Sequence, residues 1–162
     1  LNGALNAASY DMKVHPRENE LVIGTHGRSV FGVDVKPFQK LDASKSVIAF
    51  ESSKIRYSKR WGERRYPYSK PNTPKKDIMY YSKSSGVIKI EISKIVKDGK
   101  ELILLDQTSA DAGFNTYSWD VKIKKYKKRK VISDEGNYVE KGKYEIVFKK
   151  DGIESKVEME VN

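Results

Sequence analysis

The feature that most constrains this chain is a strict two-residue alternation of apolar and charged side chains, repeated through its second half. "GVIKIEIS" sets Ile88, Ile90 and Ile92 on one side and Lys89 and Glu91 on the other. "GKYEIVFKK" aligns Tyr144, Ile146 and Phe148. "IESKVEMEV" aligns Ile153, Val157, Met159 and Val161 against Glu154, Lys156, Glu158 and Glu160. "FNTYSWDVKI" lines up Tyr117, Trp119, Val121 and Ile123 in the same way. Side chains of a strand alternate between faces, so this period predicts half-buried antiparallel strands. "ELILLD" is apolar on both faces and predicts a central strand. No segment carries a 3.6-residue period with caps, so the chain is predicted to be all-β.

Asp98-Gly99 and Asp151-Gly152 each separate two of these runs. Both residue types tolerate the positive φ angles of a tight hairpin turn, and a hairpin is predicted at each. Residues 77–162 should then hold six or seven strands, a number and spacing that favour an immunoglobulin-like antiparallel β-sandwich. Trp119 and Tyr144 are predicted for its core. Residues 38–76 differ, because "RRYPYSKPNTPKK" places Pro67, Pro71 and Pro74 close together and only "SVIAFES" alternates. One short strand and a basic Pro/Tyr-rich linker are expected, with Tyr57, Trp61, Tyr66 and Tyr68 able to pin it to the sandwich. Residues 1–37 spell strand, turn, strand, turn, strand in "SYDMKV", "HPREN", "ELVIGTH" and "SVFGVDV". Three strands this short bury too little to stand alone. They are expected to be completed by the sandwich or by residues upstream of Leu1, where the chain is expected to continue.

Composition narrows the functional classes. No apolar run approaches the ~18 to 20 residues of a membrane helix, and the absence of cysteine excludes disulfides and thiolate chemistry. The net charge of +10 is concentrated in two places. Residues 54–76 carry nine Lys/Arg against one acid, and residues 122–130 carry seven against none. Such runs suit acidic polymers or phosphate groups, or form solvated loops.

"VHPRENELVIGTHGRSVFGVDV" resembles the last blade of bacterial sortilin-like β-propeller proteins, glycosyl-hydrolase-like proteins with BNR-type repeats. That blade has a hydrophobic strand, Thr-His-Gly-Arg-Gly, a second strand and Asp-Asp. A linker and an immunoglobulin-like domain follow, with Gly, Asn, Trp-Asp, Pro-Gly-Thr-Tyr and Asp-Gly in order. Counterparts here are Gly113, Asn115, Trp119-Asp120, Lys141 to Tyr144, and Asp151-Gly152. Ser29 stands where glycine is usual, Lys141 replaces the proline, and Val33-Asp34-Val35 keeps one acid of two. The resemblance implies a partial β-propeller blade of three strands ahead of the sandwich. It also implies an extracytoplasmic location and a non-catalytic accessory role, closing the propeller and mediating protein interactions. The partners implied are the preceding propeller of the same protein and other envelope proteins or glycans. Two alternatives stay open. One is the accessory domain of a glycoside hydrolase or sialidase-like enzyme whose active site lies in the missing propeller. The other is a glycan- or polyanion-binding module using the basic loops, with nucleic acid the disfavoured ligand.

Thr25, His26, Gly27 and Arg28 pair a proton-shuttling imidazole with an anion-clamping guanidinium. Catalysis needs three converging groups and no third is evident, so a structural turn of the last blade is expected. His15 and His26 match no metal-ligand spacing, and Asp106, Asp111, Asp134 and Glu135 lack the dense order of a calcium loop. No catalytic residue, cofactor or metal ligand is therefore assigned. In "KIKKYKKRK", Lys124, Lys125, Lys127, Lys128 and Arg129 are candidate polyanion contacts, with Tyr126 available to stack; a solvated hairpin is the preferred reading. Trp119 beside Asp120 suggests carbohydrate stacking, but its shared face with Tyr117 and Val121 favours core packing.

Overall fold

The computed structural model describes residues 8–27, 29–52, 54–127, 130–133 and 136–162. The fold is all-β, with antiparallel sheets and one turn of helix among the described residues. It divides into two compact units, Leu1–Leu41 and Asp42–Asn162.

In the first unit, β1 (Ser9–His15), β2 (Glu20–Thr25) and β3 (Val30–Asp34) form an antiparallel meander in chain order. The register opposes Met12, Ile23 and Phe31 across the three strands, and likewise Val14, Leu21 and Val33. Directly opposed residues share a face, as do residues two apart. All six therefore lie on one face, with Asp11, Lys13, His15, Glu20 and Asp34 on the other. No described residue of this unit is buried. The single-turn helix α1 (Lys36–Gln39) follows, its entry fixed by the Asp34 carboxylate accepting the Lys36 N–H at 2.9 Å.

The second unit holds β4 (Val47–Ala49), β5 (Lys76–Ser82), β6 (Gly86–Val96), β7 (Gly99–Ala110) and β8 (Gly113–Trp119). It continues with β9 (Lys125–Lys127), β10 (Lys130–Ser133), β11 (Gly142–Lys150) and β12 (Ile153–Val161). One sheet runs β12-β11-β6-β7 and the other β4-β5-β8, while β9 and β10 form a separate hairpin. Pairing of β6 with β11 and of β5 with β8 crosses the chain order, as in the Greek-key connections of immunoglobulin-like sandwiches. The alternating runs supply the interior. Ile88, Ile90, Ile92, Ile146, Phe148 and Tyr144 face Ile78, Tyr80 and Trp119, and each is at most 1 % exposed. Each such side chain contributes about 1.5–3 kcal/mol relative to exposure. Aromatic contacts fix the layer: Tyr80 stacks on Phe148 at 4.9 Å, and Tyr117 meets the same ring edge-on at 6.3 Å.

Three details depart from the alternation-based expectations. The "ELILLD" strand β7 is the outer strand of its sheet and not a central one. Its register slips so that Ile92 faces Leu104 while Ser93 faces Leu102, leaving Ile103 as an extra residue. This bulge turns Ile103 and Leu104 inward together, and that is why the run lacks alternation. The β6–β7 turn is Lys97-Asp98, since Val96 pairs with Gly99; Asp98-Gly99 is off by one residue. At the β11–β12 turn Asp151 and Gly152 do occupy the two central positions, with φ of 51° and 79°. Thirdly, residues 42–76 fall within the sandwich unit. Val47 is fully buried in β4, and Ile55 and Tyr57 hydrogen-bond to the backbone of β12 and Asn162. Tyr57 and Trp61 pack on the core, whereas Tyr66 and Tyr68 are 62 % and 101 % exposed and pin nothing.

Tyr144 also makes a contact that periodicity cannot forecast. Its hydroxyl donates to the Glu140 carbonyl four residues upstream at 2.6 Å, the geometry of a tyrosine corner at the entry to a sandwich strand. Tyr144→Phe should lower stability by about 1 kcal/mol, read as a shift of the urea midpoint with unchanged slope. Gly152→Ala forces a Cβ into left-handed backbone and should cost roughly 1–2 kcal/mol by the same measurement.

Candidate functional site

Thr25 ends β2, and His26 and Gly27 lead from it towards β3. The Thr25 hydroxyl donates to the Ser29 carbonyl at 2.7 Å and accepts the Ser29 N–H at 3.1 Å, closing the turn on itself. Gly27 supplies a φ of +75°, open to glycine without steric cost. The imidazole of His26 stacks on Tyr10 at 5.4 Å, and the backbone N–H of His26 donates to the Ala8 carbonyl. Arg28 lies outside the described residues, so the pairing of His26 with Arg28 is not a geometric statement here. His15 is turned to its own loop, where its Nδ1 accepts the Glu18 N–H at 3.2 Å. Among the described residues, no three His, Asp or Glu side chains converge as a metal site would require. No described helix is long and apolar enough to cross a membrane.

The basic run at 122–130 is built differently from a free cationic arm. The Lys124 N–H donates to the Ile103 carbonyl at 2.8 Å, and the Tyr126 hydroxyl accepts the Leu105 N–H at 2.8 Å. Both contacts fall on the outer edge of β7. Tyr126 is thereby half-buried and committed to the sheet rather than presented to a ligand. Lys125 and Lys127 belong to β9 by backbone only, and Lys128 and Arg129 lie outside the described residues, as do Asp134 and Glu135. Trp119 is 1 % exposed; its indole N–H donates to the Lys122 carbonyl at 3.2 Å, and its ring meets Tyr144 at 6.4 Å. Its faces are occupied by protein. Asp120 accepts the Lys122 N–H at 3.2 Å, ordering the bend that follows β8.

A second group of cations lies in the loop at 58–72. Gly62 N–H donates to the Asn72 carbonyl and Asn72 N–H to the Glu63 carbonyl, both at 2.8 Å, so the loop is tied at its neck. Trp61 anchors it to the sandwich, 5.3 Å from Tyr57 and 5.9 Å from Tyr138. A Cβ on Gly62 would come within 2.9 Å of the Tyr138 ring, and its φ is +84°, so this neck accepts only glycine comfortably. The loop encloses an open cleft of about 550 Å³ lined by Arg60, Glu63, Arg64, Arg65 and Asn72. The sequence shows the positive charge of this segment but not its convergence, because the neck bonds join residues nine and ten apart through a run that carries no strand periodicity. The pair Trp61-Gly62 amid three prolines is the one local signal of an ordered loop.

Two interior tyrosines carry the clearest electrostatic signature. Burial raises the Tyr144 hydroxyl to about 12, helped by the nearby Glu140 charge. Burial likewise raises Tyr117, and the Asp106 carboxylate, which accepts its O–H at 2.6 Å, adds to the effect. No protein-family model matches this chain, and no curated protein matches it.

A raised folded value means that the proton is held more tightly in the native state. The stability from these tyrosines is complete below their unfolded value of about 10 and is lost as pH rises towards the folded values. Thermal midpoints should therefore hold through neutral pH and fall steeply above pH ~10. Tyrosinate absorbance should rise late for Tyr80, Tyr117 and Tyr144 among the ten tyrosines, together with loss of fold.

Proposed function

We propose that this chain is the C-terminal part of an extracytoplasmic sortilin-like β-propeller protein, serving as a non-catalytic structural and interaction module. Residues 9–34 supply the strands of the last blade, and the sandwich braces it and offers surfaces to envelope partners. The single observation carrying this reading is the uncovered meander. Six apolar side chains share one face, yet Met12 and Val14 are 58 % and 52 % exposed and the unit has no buried residue among those described. A sheet in that state gains about 1.5–3 kcal/mol for each side chain that another sheet covers completely. Stacking against the neighbouring blade of a propeller is one arrangement that covers such a face. The resemblance in Thr25-His26-Gly27-Arg28 and its flanking strands points to the same arrangement.

Three measurements test the proposal. The coding sequence upstream of Leu1 should encode repeated four-stranded units; a start codon a few residues away would defeat it. The 162-residue chain alone should bind a hydrophobic dye through the meander. Ile23→Lys with Phe31→Lys should abolish that binding and leave the unfolding midpoint of the sandwich in place. Hydrolysis of glycosides by the isolated chain would overturn the non-catalytic role.

A further inference from the structure

We infer that the loop at 58–72 is a binding site for an acidic polysaccharide, in which Arg60 and Arg65 clamp the carboxylate or sulfate groups of successive sugars. Three guanidinium groups line one cleft of about 550 Å³, and no carboxylate among the described residues forms an ion pair with any of them. Glu63 lines the same cleft as one acid against three arginines. Arginine is the side chain suited to this task, since its planar fork meets a carboxylate or sulfate through paired N–H donors.

The cleft is also held in shape before any ligand arrives. Arg64 is fixed by donation from Nη1 to the Pro67 carbonyl at 3.2 Å, and its backbone bridges to Pro71. Arg65 lies over the Tyr66 ring at 5.5 Å, which leaves the edge of its guanidinium free to donate. The Ser69 hydroxyl accepts the Tyr66 N–H at 3.0 Å and donates to the Tyr66 carbonyl at 2.9 Å, ordering the tip. Together with the tied neck and the Trp61 anchor, these bonds reduce the ordering cost that a flexible arginine-rich arm pays on binding.

The chemistry of the lining favours sugar over nucleic acid. Asn72 adds a neutral amide matched to hydroxyl groups, and Tyr66, 62 % exposed, sets an aromatic ring beside Arg65. The one tyrosine within the other basic run, Tyr126, is spent on β7. A continuous groove of cations and stacking rings, as a nucleic-acid strand requires, is therefore not assembled from the two runs. This site is independent of the propeller reading, because every group in it belongs to the sandwich unit.

The experiment is calorimetric titration of the full chain with an oligogalacturonate, a heparin-derived oligosaccharide, a neutral cello-oligosaccharide and an oligothymidylate. Binding is expected for one or both acidic sugars and not for the neutral one; the first two arms decide between carboxylate and sulfate. Arg60→Gln with Arg65→Gln should weaken binding at least about tenfold and lower the slope of log affinity against log salt by about two, with an unchanged unfolding midpoint. Arg60→Lys with Arg65→Lys keeps the charge but removes the forks, and should lose most of the affinity. Lys83→Gln with Lys97→Gln, an equal loss of charge outside the cleft, should stay within about twofold of the parent. Failure to bind either acidic sugar, equal binding by oligothymidylate, or full affinity in the lysine variant would each overturn the assignment.

Discussion

The sandwich depends on one aromatic junction between its sheets. Phe148 of the four-stranded sheet is stacked by Tyr80 and met edge-on by Tyr117, both from the three-stranded sheet. Trp119 and Tyr144 repeat the edge-on contact one layer along. Large rings set the distance between sheets, and β-branched and aliphatic side chains from β6, β11 and β12 fill what remains. The Tyr117 and Tyr144 hydroxyls are satisfied at its margin, by the Asp106 carboxylate and the Glu140 carbonyl respectively. Such satisfaction lets a tyrosine serve as core at little polar cost.

A second polar device closes the same core where the chain leaves it. Lys150 is 6 % exposed, and its ammonium donates to the Ser82 hydroxyl at 2.8 Å and to the Ser84 carbonyl. Its donors join the end of β11 to the end of β5, one strand from each sheet. A further link runs from the Ala49 N–H in β4 to the Ser155 hydroxyl in β12 at 2.8 Å. Among its described residues the first unit has none of these devices. Its strands pair correctly, yet its apolar face meets no equivalent of the Phe148 junction, and the contrast between the two units is the physical basis for reading the meander as part of something larger.

Legibility from sequence followed the range of the interaction responsible. Alternation is local, and the strands containing Ile90, Ile146 and Met159 could be read directly. Asp151-Gly152 was legible because both central φ angles are positive, a demand that few residue pairs meet. Asp98-Gly99 misled by one residue, because the same dipeptide can straddle a turn and the first strand residue. The place of β7 was hidden by a bulge, where a continuous apolar run mimics burial on both faces. The segment at 42–76 resisted because prolines and charges mask pairing that is made only across the fold, Ile55 with Val161 and Gly62 with Asn72. The arginine cleft shares that obstacle. Charge density is a property of composition, whereas convergence of Arg60, Arg64 and Arg65 is a property of the closed loop.

The two basic segments have a common place in the architecture that composition alone does not reveal. The sheet β12-β11-β6-β7 has two outer edges, each a row of backbone donors and acceptors open to pairing with another chain. Residues 55–57, at the start of the first basic segment, bond to the edge of β12 at 2.7–3.0 Å. Lys124 and Tyr126, within the second, bond to the edge of β7. Each edge is thus met in part by a basic segment, through backbone at β12 and through the Lys124 N–H and the Tyr126 hydroxyl at β7. Covering satisfies the hydrogen bonds, and like charge on the covering segments repels a second sheet approaching edge-on. The positive excess of the sandwich unit therefore has a structural use at both margins. At the β12 margin alone the chain continues into a tied, aromatic-anchored loop, and only there does edge protection become a shaped site.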